Sequence, residues 1–264
     1  MTIEEMIRGS RLDRVESEIL VADALGKERT WMLAHAGEKV SEEQRQRISM
    51  FFKRRTSGEP VSYIIGKKEF FARTFHVTPA VLIPRPSTEQ LVVSTVRFLN
   101  NPCDENREVD ANVSVVTRVL RPDLYPKTVV DCGTGSGCIA VTVALERLDV
   151  RVIATDISEE ALEVARENAR KYGVFEKIEF QHGSELQPVQ NLREAFLVVS
   201  NPPYVPDAAV LDRQVRDFEP ASALFGGPDG TDILRAILLE ARNHPFCAGI
   251  LFECQSDQIQ KIMA

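Results

Sequence analysis

From residue 128 onward, β-branched runs and helix-like runs take turns. "TVVDC" (128–132), "VRVIATD" (150–156), "KIEFQ" (177–181), "AFLVVS" (195–200) and "AGILFEC" (248–254) read as strands. "GCIAVTVALER" (137–147), "SEEALEVARENARKYG" (158–173) and "GTDILRAILLEARN" (230–243) read as helices, with Ser158 as N-cap and Gly173 past the end of the second. Strands separated by helices need crossover connections, so this alternation predicts an α/β fold with a parallel sheet and helices on both faces. In such a sheet a ligand binds beyond the carboxyl ends of the strands, where the strand order reverses.

The preceding segment is organised differently. Residues 1–57 read as helices: Ile7, Leu12, Val15, Ile19 and Leu20 fall on one face, Ile48, Phe51 and Phe52 on another, with Gly26 and Gly37 as punctuation. Residues 61–81 are β-branched and aromatic around Gly66-Lys67-Lys68, which predicts a hairpin with its turn there. A helix is expected from about residue 84, with Ser87 or Thr88 as its N-cap. Residues 100–127 are polar and without a clear period, and read as a disordered surface excursion.

Charge and cysteines exclude some functions. The chain has a net charge of -7. Residues 1–75 carry 14 Lys/Arg against 12 Asp/Glu, so the remaining 18 basic and 27 acidic residues hold the whole acidic excess. A duplex DNA partner would call for the opposite balance. Cys103, Cys132, Cys138, Cys247 and Cys254 show no C-x-x-C pair or zinc spacing, so no metal is expected and buried thiols in a reducing cytosol are. His35, His76, His182 and His244 are scattered, which argues against triad chemistry, and the basic run Lys53-Arg54-Arg55 reads as a solvated helix face. The N-terminus is no signal peptide and no run has the length of a membrane helix, so a cytoplasmic protein is expected.

Three motifs carry chemistry. Between a strand and a helix stands Asp131-Cys132-Gly133-Thr134-Gly135-Ser136-Gly137, where glycines permit a tight turn and close approach of a ligand to the backbone. Asp156 ends the next strand and is suited either to accept from two ribose hydroxyls or to cap the following helix. The third is Asn201-Pro202-Pro203-Tyr204, a stiff polar corner after a strand. It could be a simple strand stop. It could also be a clamp: the Asn201 amide oxygen and Pro202 carbonyl accept both hydrogens of a planar –NH2 group, and Tyr204 stacks on its plane. Such a nitrogen is a poor nucleophile, and orienting it is the main help a protein can give.

An acid two positions before G-x-G-x-G, followed by N-P-P-Y, resembles the S-adenosylmethionine amino-methyltransferases, which act on DNA adenine or cytosine or on protein glutamine. "SGEPVSYIIGKKEFFARTFHVTPAVLIPRPSTEQLV", "VVSNPPYVP" and "FEPASALFGGPDGTDILR" narrow this. Together they resemble the HemK/PrmC family, release factor glutamine N5-methyltransferases, from near residue 10 to about residue 258. The resemblance implies a helical substrate-recognition domain (1–58), a β-hairpin linker (59–84) and a Rossmann-like methyltransferase domain (85–264). It implies S-adenosylmethionine as cofactor. The implied partner is a class 1 peptide chain release factor, methylated on the glutamine of its Gly-Gly-Gln loop by a monomeric enzyme. Carried over by position, Gly133, Thr134, Gly135, Ser136 and Gly137 face the methionine part of the cofactor and Asp156 the ribose. Glu185 lines the adenine pocket, with Ser184 a close competitor, and Asn201, Pro202, Pro203 and Tyr204 surround the substrate amide. Ser87 and Ser184 stand where the family usually has acids. The resemblance further implies a helix and two strands after "LFECQSDQ". With the chain ending at Ala264, strand 247–254 is expected to have one uncovered edge. DNA N6-adenine methylation and non-catalytic release factor binding by a truncated homologue are the alternatives.

Overall fold

The computed structural model describes residues 1–101, 107–109 and 113–263. Cys103 lies outside them, as does part of the expected excursion. The chain forms two compact units, Met1–Lys67 with Leu211–Phe218, and Lys68–Val210 with Glu219–Ala264.

The first unit is helical: α1 (Ile3–Gly9), α2 (Arg14–Leu25), α3 (Arg29–Ala34), α4 (Glu42–Thr56) and α5 (Val61–Ile65). Capping boxes start two of these helices, Thr2 with Glu5 at α1 and Ser41 with Gln44 at α4, and Gly26 closes α2 in the left-handed region. Ile7, Leu20, Met32, Ile48, Phe51 and Ile64 form its core. The single face expected from Ile7 to Leu20 is broken, because Asp13 caps a new helix and turns Val15 outward. Two of the three residues in the basic run are paired rather than merely solvated: Arg54 Nε donates to Glu59 at 2.8 Å and Arg55 Nε to Glu16 at 2.8 Å.

The hairpin is β1 (Lys67–Phe70) with β2 (Arg73–His76), and its turn is Phe71-Ala72, not Gly66-Lys67-Lys68. Gly66, in the left-handed region, instead ends α5. Phe71 and Ala72 both take positive φ, and the Phe71 N–H donates to Glu89 Oε1 at 2.8 Å. That turn type usually advertises itself with Asn or Gly, so the sequence hid it.

The second unit continues with α6 (Glu89–Asn100), β3 (Arg107–Val109), β4 (Val113–Val119), β5 (Thr128–Cys132), α7 (Cys138–Glu146) and β6 (Arg151–Asp156). Then come α8 (Glu159–Lys171), β7 (Ile178–His182), β8 (Phe196–Ser200), α9 (Arg213–Phe218), which belongs to the first unit, α10 (Asp232–Asn243), β9 (Cys247–Gln255) and α11 (Ile259–Met263). The sheet order is β3-β4-β9-β8-β5-β6-β7. Strands β9, β8, β5, β6 and β7 run parallel, while β4 lies antiparallel on β9 and β3 antiparallel on β4. The order reverses between β5 and β8, whose residues are all buried, and this is the switch point.

The edge of β9 expected to be bare is covered. Val113–Val119 pairs along it, with Val116 opposite Phe252. The described part of 100–127 is therefore sheet as well as connection. Val115 and Val116 are both buried and feed the cores on opposite faces of the sheet. A strand buried on both faces shows no alternation, which is why the segment looked aperiodic.

Candidate functional site

A cavity of about 370 Å³ opens at the switch point. Gly133, Thr134, Gly135, Ser136, Asp156, Ser184, Glu185, Asn201, Pro202 and Pro203 line it together. Gly137 and Tyr204 stand behind the wall. A Cβ on Gly137 would lie 3.0 Å from that of Ala165, so this glycine lets α7 approach α8.

The glycine loop is shaped by two carboxylates. Asp131, fully buried, accepts at Oδ2 from the Thr134 hydroxyl (2.7 Å) and the Ala140 N–H (3.0 Å), tying the turn to the first turn of α7. Its Oδ1 has no hydrogen-bond partner among the described residues, and burial pushes its pKa up to about 7. Asp156, at the end of β6, accepts from Gly135 N–H (2.9 Å) and Ser158 N–H (2.9 Å). Its burial also raises the pKa, opposed by those N–H groups. Asp156 thus shapes the loop and anchors Ser158, whose own hydroxyl caps α8 by accepting from Ala161 N–H at 3.1 Å, and Asp156 still lines the cavity. Gly133 and Gly135 have φ of +74° and +55°, and a Cβ on either would meet open space. The loop is a bare backbone floor beside an acid, which suits an extended ligand bearing a ribose. Glu185, with φ +42°, accepts from the Ser184 hydroxyl, so the two polar residues act as one corner of the cavity.

The opposite wall is the Asn-Pro-Pro-Tyr corner. Asn201 Nδ2 donates to Thr88 Oγ1 at 3.0 Å, which leaves Oδ1 as the end available to a ligand. Thr88 holds the N-cap position of α6 as expected, but its hydroxyl donates onward to Glu253 Oε2 at 2.8 Å instead of making a capping hydrogen bond. The Tyr204 hydroxyl donates to Glu253 Oε1 at 2.9 Å, and its side chain packs on the core. Burial and the Glu253 carboxylate push the Tyr204 pKa up, so it remains a donor.

A second segment braces the corner. Val205 N–H donates to Leu224 O and Gly226 N–H to Val205 O, both at 2.9 Å. A Cβ on Gly226 would come 2.4 Å from Pro203 O, and one on Gly230 2.2 Å from Tyr204 O. Gln258 Nε2 holds Tyr204 O at 2.7 Å. "FEPASALFGGPDG" is thus the backing of the corner. Its buried Glu219 also holds the linker, accepting from Arg85 at 2.6 Å and from Ile83 N–H at 3.3 Å.

Sequence reasoning missed Thr88, Glu219 and Glu253, and the lining contributed by Ala80, Val81, Leu82 and Pro84. The one legible signal was a carboxylate inside the apolar run "GILFEC", which a buried strand tolerates only with partners.

A Rossmann-like sheet with a glycine-rich turn, an acid on the next strand and a braced Asn-Pro-Pro-Tyr corner defines an S-adenosylmethionine methyltransferase domain. The family model described as Methyltransferase small domain matches residues 105–224, and that for the PrmC N-terminal domain matches residues 6–66. The release factor glutamine methyltransferase of Nitratidesulfovibrio vulgaris is 38% identical over 230 residues, spanning 86% of this chain and 70% of that protein. That of Neisseria gonorrhoeae is 39% identical over 240 residues (90% and 78%), and that of Coxiella burnetii 34% over 261 residues (98% and 85%). This chain belongs to the release factor glutamine methyltransferase family.

Proposed function

We propose that this protein methylates the side-chain amide nitrogen (N5) of the glutamine in the Gly-Gly-Gln loop of class 1 peptide chain release factors. The observation that carries the reading is Asn201, whose Oδ1 is the free end of an amide set in the same cavity as the glycine loop and Asp156. Gly133 to Ser136, Asp156 and the Ser184–Glu185 corner would hold S-adenosylmethionine, which would supply an electrophilic methyl group on sulfur. The protein's part is orientation. Asn201 Oδ1 and the Pro202 carbonyl accept the two amide hydrogens, which keeps electron density on the nitrogen and aims its lone pair. Pro202 is buried, and Pro203 is fixed by the close approach of Gly226, so the corner does not reorganise as charge develops. Apolar walls from Val81, Leu82, Pro84 and Phe225 exclude water.

A release factor substrate is a translation factor, and that reading supports a cytoplasmic enzyme. Among the described residues no helix is long and apolar enough to cross a membrane. The test is Asn201→Ala. It should bind S-adenosylmethionine normally by calorimetry and lose methylation of the release factor by mass spectrometry. Full methylation by the variant would contradict the role of Asn201.

A further inference from the structure

Glu253 sits near the carboxyl end of β9, two residues before its last, and is 0% exposed. A carboxylate in that position is costly unless its oxygens are occupied. Three hydroxyls occupy them: Thr88 at 2.8 Å, Tyr204 at 2.9 Å and Ser87 at 3.3 Å. None of these residues belongs to the glycine loop or to the Asp156 wall.

A threonine hydroxyl has one proton. Thr88 spends it on Glu253 Oε2, so toward Asn201 it offers only a lone pair. The Asn201 atom facing Thr88 must then be the –NH2, and the amide oxygen is turned the other way. An asparagine has no preference of its own between its two ends, and the network around it decides. Here the decision is made two hydrogen bonds away. A second line from Glu253 runs through the Tyr204 hydroxyl, and so the same carboxylate holds both ends of the Asn-Pro-Pro-Tyr corner.

We infer that Glu253 is a positioning residue that, through Thr88, fixes the Asn201 amide with Oδ1 toward the substrate. The inference rests on the reading that the acceptor is a glutamine amide, whose N–H groups need that oxygen. With a carboxamide at 253, an –NH2 can take the Oε2 position and donate to Thr88. The Thr88 proton is then free to point at Asn201, and the asparagine loses its fixed sense.

The experiment is steady-state methylation of purified release factor by the full chain, with kcat and KM separated and cofactor affinity measured by calorimetry. Thr88→Val keeps the shape and removes the hydroxyl. It should lower kcat about 100-fold and leave the S-adenosylmethionine dissociation constant unchanged. Thr88→Ser restores the hydroxyl and should recover most of kcat. Glu253→Gln should lower kcat with cofactor affinity retained. A Thr88→Val enzyme with wild-type kcat overturns the inference, and so does a loss that Thr88→Ser fails to recover. A wild-type chain that transfers no methyl group to release factor overturns instead the function on which the inference rests.

Discussion

The side-chain amide of Asn201 and the hydroxyl of Thr88 lie 3.0 Å apart across 113 residues of sequence. The bond joins the corner after β8 to the start of α6, and it sets which end of the asparagine a ligand meets. Asn201→Asp is therefore a sharper probe than truncation. Thr88 has no second proton to give, so a carboxylate oxygen there would face an oxygen lone pair, and the substrate N–H acceptor would shift. The expected result is a fall in kcat of about 100-fold or more with cofactor binding retained, read from single-turnover rates and calorimetry.

Gly226 is packed directly against the backbone of Pro203 behind the corner. Its added Cβ would stand 2.4 Å from Pro203 O and 2.9 Å from Gly230 O, both backbone atoms that cannot step aside alone. Gly226→Ala should cost about 1–3 kcal/mol of stability and reduce methyl transfer by displacing Pro202 and Pro203. Chemical denaturation and methylation rate on the same preparation check both.

Asp131 gives a pH signature. Its folded pKa is raised from 3.8 to about 7, chiefly by burial. A carboxyl whose folded pKa is raised contributes stability that is full below its unfolded pKa and is lost as pH rises through the folded one. Wild-type stability should therefore carry a declining component between about pH 4 and pH 7. Asp131→Asn still accepts from Thr134 and Ala140 and cannot ionise, so it should remove that component. Melting temperatures of the two proteins measured across this range should converge at the acid end, and the variant should gain on wild type toward neutral pH.

Val116 tests the covering of β9. It packs with Phe252 and Ile250 on one face of the sheet. Val116→Ala should cost about 2 kcal/mol and increase light scattering on heating, because a weakened β4 exposes the β9 edge. Cofactor affinity should be unchanged, because neither Val116 nor Phe252 lines the cavity.

The parallel core was legible because its signals are local. Glycines 133, 135 and 137 mark a backbone turn, and Ser158 and Gly173 bracket a helix by their own chemistry. The Asn-Pro-Pro-Tyr corner was legible as a rigid acceptor, though not the inward turn of Tyr204. What escaped depends on distant partners. Nothing near Thr88 announces that its hydroxyl is claimed by a strand 165 residues away. Nothing in "VSVVTRV" says that it lies antiparallel on β9, since burial on both faces erases the alternation that marks a strand. Phe71 and Ala72 turn with positive φ without the residues that usually do so, supported by Glu89.

The central claim is that the amide held at Asn201 belongs to a release factor glutamine. The most direct measurement is tandem mass spectrometry of tryptic peptides from a class 1 release factor incubated with the purified chain and S-adenosylmethionine, beside a parallel incubation with DNA. One methyl group is expected on the side-chain nitrogen of the Gly-Gly-Gln glutamine and none on DNA. An unmodified glutamine together with methylated adenine in the DNA would contradict it.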